Sequence, residues 1–231
     1  MHIKLDLHTH TIASGHATHA TITDMAKAAK KKGLHTLGIS DHGPKTLGGG
    51  KPSYFMSLAS APKKRFGVHM LYGAEVNILD NKGTLDLSNS ILKNLDFVIA
   101  SLHQPVKKPS TIEENTASYI EAMKNPYVSF IGHPDSTHYP VDFDLLIRAA
   151  IDNHVQLEIN EYSLRFDGYR GNTKFNAMMI LELCKYYHYP VLLSSDSHGS
   201  QHIGDFTNSL ALLRLAKFPE KLILNHSLRL Q

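Results

Sequence analysis

The sequence predicts an α/β fold in which seven strand–helix repeats close, or nearly close, into a barrel. Three observations carry this expectation. Short apolar, β-rich runs alternate with longer helical stretches, the pattern of a mostly parallel sheet. The residues at or just past the ends of the seven predicted strands are His8, His42, Glu75, His103, His133, Asn160 and His198, and they follow one another at intervals of 34, 33, 28, 30, 27 and 38 residues. Those intervals lie near the length of one βα unit, roughly 30 residues. Six of the seven positions carry a potential metal ligand, and barrel enzymes gather their chemistry at the C-terminal ends of the strands.

The elements read in order as follows. Strands are predicted at Ile3–Leu7, Thr36–Ser40, Met70–Val76, Phe97–Leu102, Val128–Gly132, Gln156–Ile159 and Val191–Ser194, each a short apolar run. Helices are predicted at Thr23–Lys32, Ile112–Lys124, Phe143–Asn153, Asn172–Tyr187 and Thr207–Lys217. The first helix has an Ala-rich body, three lysines in its last turn and Gly33 just beyond. Cations and a glycine at that end complement the helix dipole and cap the helix. Gly48-Gly49-Gly50 lacks the strand and the lysine signature of a phosphate-binding loop. It reads as a mobile loop that brings Tyr54, Phe55 and Met56 to a substrate or a neighbouring subunit.

Composition sets limits on function. The chain has 231 residues, 42% of them hydrophobic and 19% charged, an ordinary balance for one globular domain spanning residues 1–231. No apolar run is long enough to cross a membrane. The N-terminus lacks the pattern of a signal peptide, which fits a cytoplasmic location. A net charge of +3 is too small to mark a nucleic-acid binder. Cys184 is the only cysteine, so an internal disulfide and a thiolate-built metal site are both excluded. Histidine is the unusual residue: there are 16, spread along the chain.

The histidines fall in motifs. His8 and His10, two apart on an extended segment, face the same side and suit one metal. His16 follows in a loop with Ser14 and Gly15. Asp41-His42 ends the second strand, where Asp41 either orients a histidine or binds metal. Glu75 is embedded in an apolar strand, which is expensive unless it finds a cation. His103 and His133 each follow an apolar strand directly. Asp196 and His198 repeat the spacing of the first pair. Singly, each cluster is explained as well by structure as by chemistry. Together, seven histidines with Glu75 and Asp196 form a nitrogen and oxygen donor set suited to zinc, manganese or iron. Nine ligands exceed one tetrahedral site and suit two or three ions, with a carboxylate bridging two of them.

With these strings in place, the chain resembles the PHP (polymerase and histidinol phosphatase) family, and within it the short YcdX-type phosphatases. The matching segments are Asp6-Leu-His-Thr-His10, Ser14-Gly-His16-Ala17, Ser40-Asp-His-Gly-Pro44, Gly73-Ala-Glu75, Ser101-Leu-His103, Gly132-His133-Pro134 and Ser195-Asp-Ser-His198. The similarity runs from residue 3 to about residue 200. It implies a distorted, TIM-like (βα)7 barrel with three divalent ions. In that assignment His8, His10, Glu75 and Asp196 hold one ion. Glu75, His103 and His133 hold the second, and His16, His42 and His198 the third. The implied reaction is hydrolysis of a small phosphomonoester, with zinc the first candidate metal and manganese or iron next. Asp41 is a candidate proton donor to the leaving group or a supporting residue. Arg170 and Arg165 are candidate phosphate contacts, with Arg170 favoured. A homotrimer is implied by the resemblance alone.

Three other functions compete with this reading. A histidinol phosphatase fits the chemistry, although such enzymes are longer. A PHP-type nuclease or phosphodiesterase fits the metals but lacks a basic stripe. An inert metal-binding module would keep the ligands without the activity.

Overall fold

The computed structural model describes residues 3–226. Seven strands lie side by side in chain order, each parallel to its neighbours: β1 (Leu5–Asp6), β2 (Thr36–Ile39), β3 (Val68–Asn77), β4 (Phe97–Ser101), β5 (Phe130–Ile131), β6 (Gln156–Asn160) and β7 (Val191–Ser194). A short strand, Lys64–Arg65, pairs antiparallel with the start of β3. The connecting helices are α1 (Ile22–Lys32), α2 (Pro52–Leu58), α3 (Asn89–Leu92), α4 (Ile112–Met123), α5 (Phe143–Asn153), α6 (Glu161–Leu164), α7 (Lys174–Tyr186) and α8 (Thr207–Leu215). This is the expected distorted (βα)7 barrel. All five predicted helices form, and α2, α3 and α6 are additions that were too short to read from periodicity. No helix among the described residues is long and apolar enough to cross a membrane.

Local signals set the helix ends. Thr21 and Asp24 form a reciprocal capping box on α1, and Gly33 closes the other end at φ 78°. Thr111 and Asp142 cap α4 and α5 through their side chains.

Strand alternation divides the core in two. Met70, Tyr72, Ala74 and Val76 of β3, with Leu157 and Ile159 of β6, pack outward against the helices. Leu5, Leu71, Phe97, Ile99, Phe130 and Leu192 fill the barrel interior. Further along the strands the same inward faces turn polar, at Glu75, Asn77, Ser101, Glu158, Asn160 and Ser194, all buried. The barrel is thus apolar at one end and polar at the C-terminal end of its strands. Gly38 and Gly73 admit the Phe97 ring: a Cβ at either would lie within 2.8 Å of its tip.

Among the described residues the sheet does not close by pairing of its first and last strands. Asn225 fills the seam between the first and last strands. Its Oδ1 accepts from Leu193 N at 2.8 Å, and its Nδ2 donates to Leu193 O at 2.8 Å and Leu5 O at 3.0 Å.

The loop after β2 departs from expectation. Gly49 and Gly50 donate backbone hydrogen bonds to Thr46 O and His42 O, which folds the glycine run back on itself. Phe55 is fully buried in the core, so it contacts neither a substrate nor a partner.

Candidate metal centre

The polar end of the barrel receives its side chains from strand ends. A second, two-stranded parallel pair sits there, joining Thr9–His10 to Ser197–His198 with His198 opposite His10. Their rings stack with centroids 4.2 Å apart. His42 bridges to Glu75 beside β2 and β3. His133 and Asp196 stand in the left-handed region at φ 33° and 52°, a conformation that costs energy outside glycine and clusters at functional sites.

Glu75 occupies the middle. Its Oε2 lies 3.3 Å from His8 Nε2, 3.5 Å from His10 Nε2 and 2.6 Å from His42 Nδ1. Its Oε1 lies 3.2 Å from His103 Nε2 and 2.8 Å from His133 Nε2. One carboxylate therefore faces two separate sets of histidines. Asp196 Oδ1 lies 3.2 Å from His10 Nε2 and 3.6 Å from His8 Nε2. Three groups bring their donor atoms within 4.8 Å of one another: His8 with His10 and Glu75, His42 with Glu75 and His103, and His10 with His42 and His198. His16 stacks on His42, centroids 4.9 Å apart, and lies 5.0 Å from His198. All nine predicted ligands thus gather at one place. The sets overlap more than spacing suggests, since His42 also joins the Glu75–His103 group.

These residues fit divalent metal on a test internal to the structure. In five of the seven rings the nitrogen that faces away from the centre is occupied, whereas His133 Nδ1 has no partner. His8 Nδ1 meets Glu158 Oε1 at 2.7 Å, and a carboxylate oxygen only accepts, so Nδ1 carries the proton. Ser14 Oγ donates to Asp41 at 2.7 Å and therefore accepts from His10 Nδ1 at 2.9 Å. Asn77 Nδ2 is spent on Asp86 at 2.6 Å, so its Oδ1 accepts from His103 Nδ1 at 2.8 Å. His16 and His198 donate through Nδ1 to Ser14 O and Asp196 O. In these five rings the proton on Nδ1 leaves Nε2 turned toward the centre, where its lone pair is free whenever the ring is neutral. The Nε2 atoms of His8, His10, His103 and His198, with Glu75 Oε2 and Asp196 Oδ1, are buried and have no hydrogen-bond partner. Buried polar atoms without partners are rare in folded proteins, and a shared cation satisfies this set at once.

Electrostatics agree. Burial and the neighbouring rings of His198 and His42 hold the His10 pKa well below the usual imidazole value. Burial lowers His103 too, and takes His133 and His198 down to about 4. Burial alone would raise Glu75 and Asp196, but His8 and further cations hold both well below the carboxylate range. His8 is the exception. Burial disfavours its charge, yet Glu158, Asp196 and Glu75 keep its pKa well above the usual value. Without metal, this ring takes the proton that three carboxylates attract.

The remaining predicted residues are placed differently. Asp41 is fully buried, and its carboxylate accepts from Thr11 N at 2.6 Å, Thr11 Oγ1 at 2.8 Å, Ser14 Oγ at 2.7 Å and Tyr54 Oη at 2.5 Å. Arg170 is buried and donates from Nη2 to Asp196 Oδ2 at 2.9 Å. Arg165 is paired with Asp167 at 2.6 Å, near the surface. Both arginines line a cavity of about 890 Å³ that opens over His16, His42, His103 and His198.

Residues 6–162 match the family described as the PHP domain. A probable phosphatase of Clostridium novyi is 43% identical over 97% of this chain and 91% of its own length. A probable phosphatase of a Thermoanaerobacter species is 44% identical over the same shares. The chain belongs to the PHP family. Among solved structures, the histidinol phosphate phosphatase of Lactococcus lactis, determined with zinc, L-histidinol and phosphate, superposes with a TM-score of 0.65. It is 18% identical and covers 95% of each chain, which shows a shared PHP fold.

Within this PHP centre, sequence reading missed Glu158. It holds His8, accepts from His133 N at 2.6 Å and Asn160 Nδ2 at 2.9 Å, and pairs with Ser194 Oγ. The signal was present: Glu158 lies between Leu157 and Ile159, a carboxylate inside an apolar strand, as Glu75 does. Asn160 also donates to Asp196 Oδ2, at 3.1 Å. Ser14 and Asn77 carried no such signal, because small polar residues at loop and strand ends are commonplace.

Proposed function

We propose that this PHP-family enzyme hydrolyses phosphomonoesters at a centre of three divalent ions held by His8, His10, His16, His42, Glu75, His103, His133, Asp196 and His198. Its place among phosphatases rests on family membership and on relatives at 38–44% identity. The observation that carries the finer reading is the pair of Glu75 oxygens, each facing its own set of histidines. That geometry supports a bridging ligand. Zinc is the first candidate, with manganese or iron fitting the same nitrogen and oxygen donors.

Bound there, the ions supply Lewis acidity, which acidifies water and draws charge from phosphoryl oxygens. The chain's own residues do the rest. Glu158, Ser14 and Asn77 fix ring tautomers so that lone pairs point inward. Arg170 holds Asp196 and brings a guanidinium to the cavity floor, in reach of a phosphate oxygen. Asp41 enters as a positioning residue. Its oxygens are taken up by four donors, and it acts on His10 through Ser14. The barrel walls exclude bulk water from the buried ligands, so the charges there act in a low dielectric. Residues 1–231 act as one PHP domain in this reading. The trimer implied by resemblance belongs to the proposal too, and light scattering checks it.

The test is metal content with activity. The reconstituted protein is expected to hold close to three equivalents by elemental analysis, and chelation abolishes phosphomonoester hydrolysis. Glu75→Ala loses more than one equivalent, because one side chain serves two sets. Less than one equivalent after reconstitution overturns the trinuclear reading, and metal-loaded protein inert toward every phosphomonoester overturns the phosphatase.

A further inference from the structure

We propose that the cavity above the metal centre is built for a phosphomonoester whose leaving group is aromatic and carries no positive charge. This rests on the phosphatase reading and adds the nature of the leaving group. At about 890 Å³ the cavity lies in the upper part of the range for drug-sized ligands. A phosphoryl group alone would leave most of it empty.

Above the metal ligands its walls are mainly apolar and aromatic, with polar side chains such as Thr46, Gln104, His138 and Gln201 between them. Tyr162 of α6 and Tyr169 of the loop after it stand with ring centroids 6.0 Å apart, and Leu47, Pro105 and Val106 line the same space. Leu47 is 89% exposed and Tyr169 57% exposed. Large apolar side chains left open around a concave site mark a surface that a ligand covers. An aromatic ring matches tyrosine faces in offset or edge contacts and gains from both walls.

Charge decides what the ring carries. Among the described residues lining the cavity, Asp196 is the one carboxylate. Its Oδ2 is held by Arg170 and Asn160, and its Oδ1 faces His8 and His10. Two guanidiniums line the same space, Arg170 4.9 Å from the Tyr169 centroid and Arg165 5.5 Å from that of Tyr162. An ammonium on the leaving group would lose its water, meet two cations and find no free carboxylate. Histidinol phosphate, with its amine, is the wrong shape of charge for this pocket, whereas a neutral or anionic ring suits it.

The test is calorimetric binding of phosphonates, which are not hydrolysed, to the metal-loaded protein. Phenylphosphonate is expected to bind about tenfold tighter than methylphosphonate, a difference of about 1.4 kcal/mol. It should also bind about tenfold tighter than 4-(aminomethyl)phenylphosphonate, which differs by one ammonium. The 4-carboxyphenyl compound binds at least as well as the phenyl compound. Tyr169→Ala erodes the advantage of phenyl over methyl. Equal binding of methyl and phenyl compounds, equal or tighter binding of the ammonium compound, or no binding by any phosphonate overturns the proposal. Hydrolysis of phenyl phosphate by the same preparation separates the two readings. Hydrolysis with the wrong binding order removes the leaving-group inference alone, and the right order without hydrolysis removes the phosphatase alone.

Discussion

Arg170 donates to Asp196 Oδ2 across 2.9 Å, with both side chains buried. The pairing gives this arginine two tasks. It positions the carboxylate of a candidate metal ligand, and it carries a charge to the cavity floor. Burial opposes its charge, but Asp196 raises its pKa above an already high value, so it stays protonated.

Arg170→Ala is therefore expected to lower metal content as well as phosphate affinity. Sequence reasoning alone makes it a pure phosphate clamp, whose loss spares the metals. A charge-assisted hydrogen bond is worth about 1.5–3 kcal/mol, which corresponds to roughly tenfold to a hundredfold in phosphate inhibition. Arg170→Lys recovers part, because it keeps the charge and loses the planar fork. Arg165→Ala should leave metal content unchanged, since its partner Asp167 is exposed and the pair lies at the surface. Elemental analysis beside phosphate inhibition distinguishes these outcomes, and unchanged metal in Arg170→Ala would return it to the clamp role alone.

Glu158→Gln tests the support of His8. The amide can present its nitrogen to His8 Nδ1, which removes the acceptor that fixes the ring. Loss of such an outer contact typically costs ten- to a hundredfold in metal affinity. Competition with a chelator should show weakened binding of at least one ion, while the fold survives by circular dichroism. Unaltered affinity would make Glu158 a purely structural residue.

The pH dependence follows from the histidines. His133 and His198, at about 4, stay neutral through the physiological range. His8, raised by three carboxylates, holds a proton above its ordinary value of 6.5. Metal must displace that proton, so uptake releases it and weakens as pH falls. Calorimetry in buffers of different ionisation enthalpy should detect proton release near neutrality. Activity should decline in acid, and full activity at pH 4 would contradict a histidine-held centre.

Asn225 tests the seam. Asn225→Ala leaves Leu5 O, Leu193 N and Leu193 O without their partner. Stranded buried groups cost about 1–3 kcal/mol each, with partial relief by water. A loss of about 2–4 kcal/mol is expected, or roughly 4–16 °C in Tm for a domain of this size. Thermal denaturation of the metal-free protein isolates this effect from the centre. A change under 1 °C would show that the first and last strands hold together without the amide.

The amino-acid order by itself determined the repeat and where along it the candidate ligands fall. The βα spacing recurs because strand and helix lengths are set locally by pattern and caps, so Glu75 and each histidine could be placed at a strand end before any contact was known. Only the tertiary structure decided which candidate ligands lie together, what holds each ring and what closes the barrel. His42 joins Glu75 and His103 because β2 and β3 lie side by side. Glu158 reaches His8, 150 residues away, because the barrel curls β6 toward β1. Asn225 completes the sheet through backbone groups that no residue pattern marks. These are contacts between segments far apart in the chain, and their geometry comes from strand register and curvature, which short-range spacing does not encode.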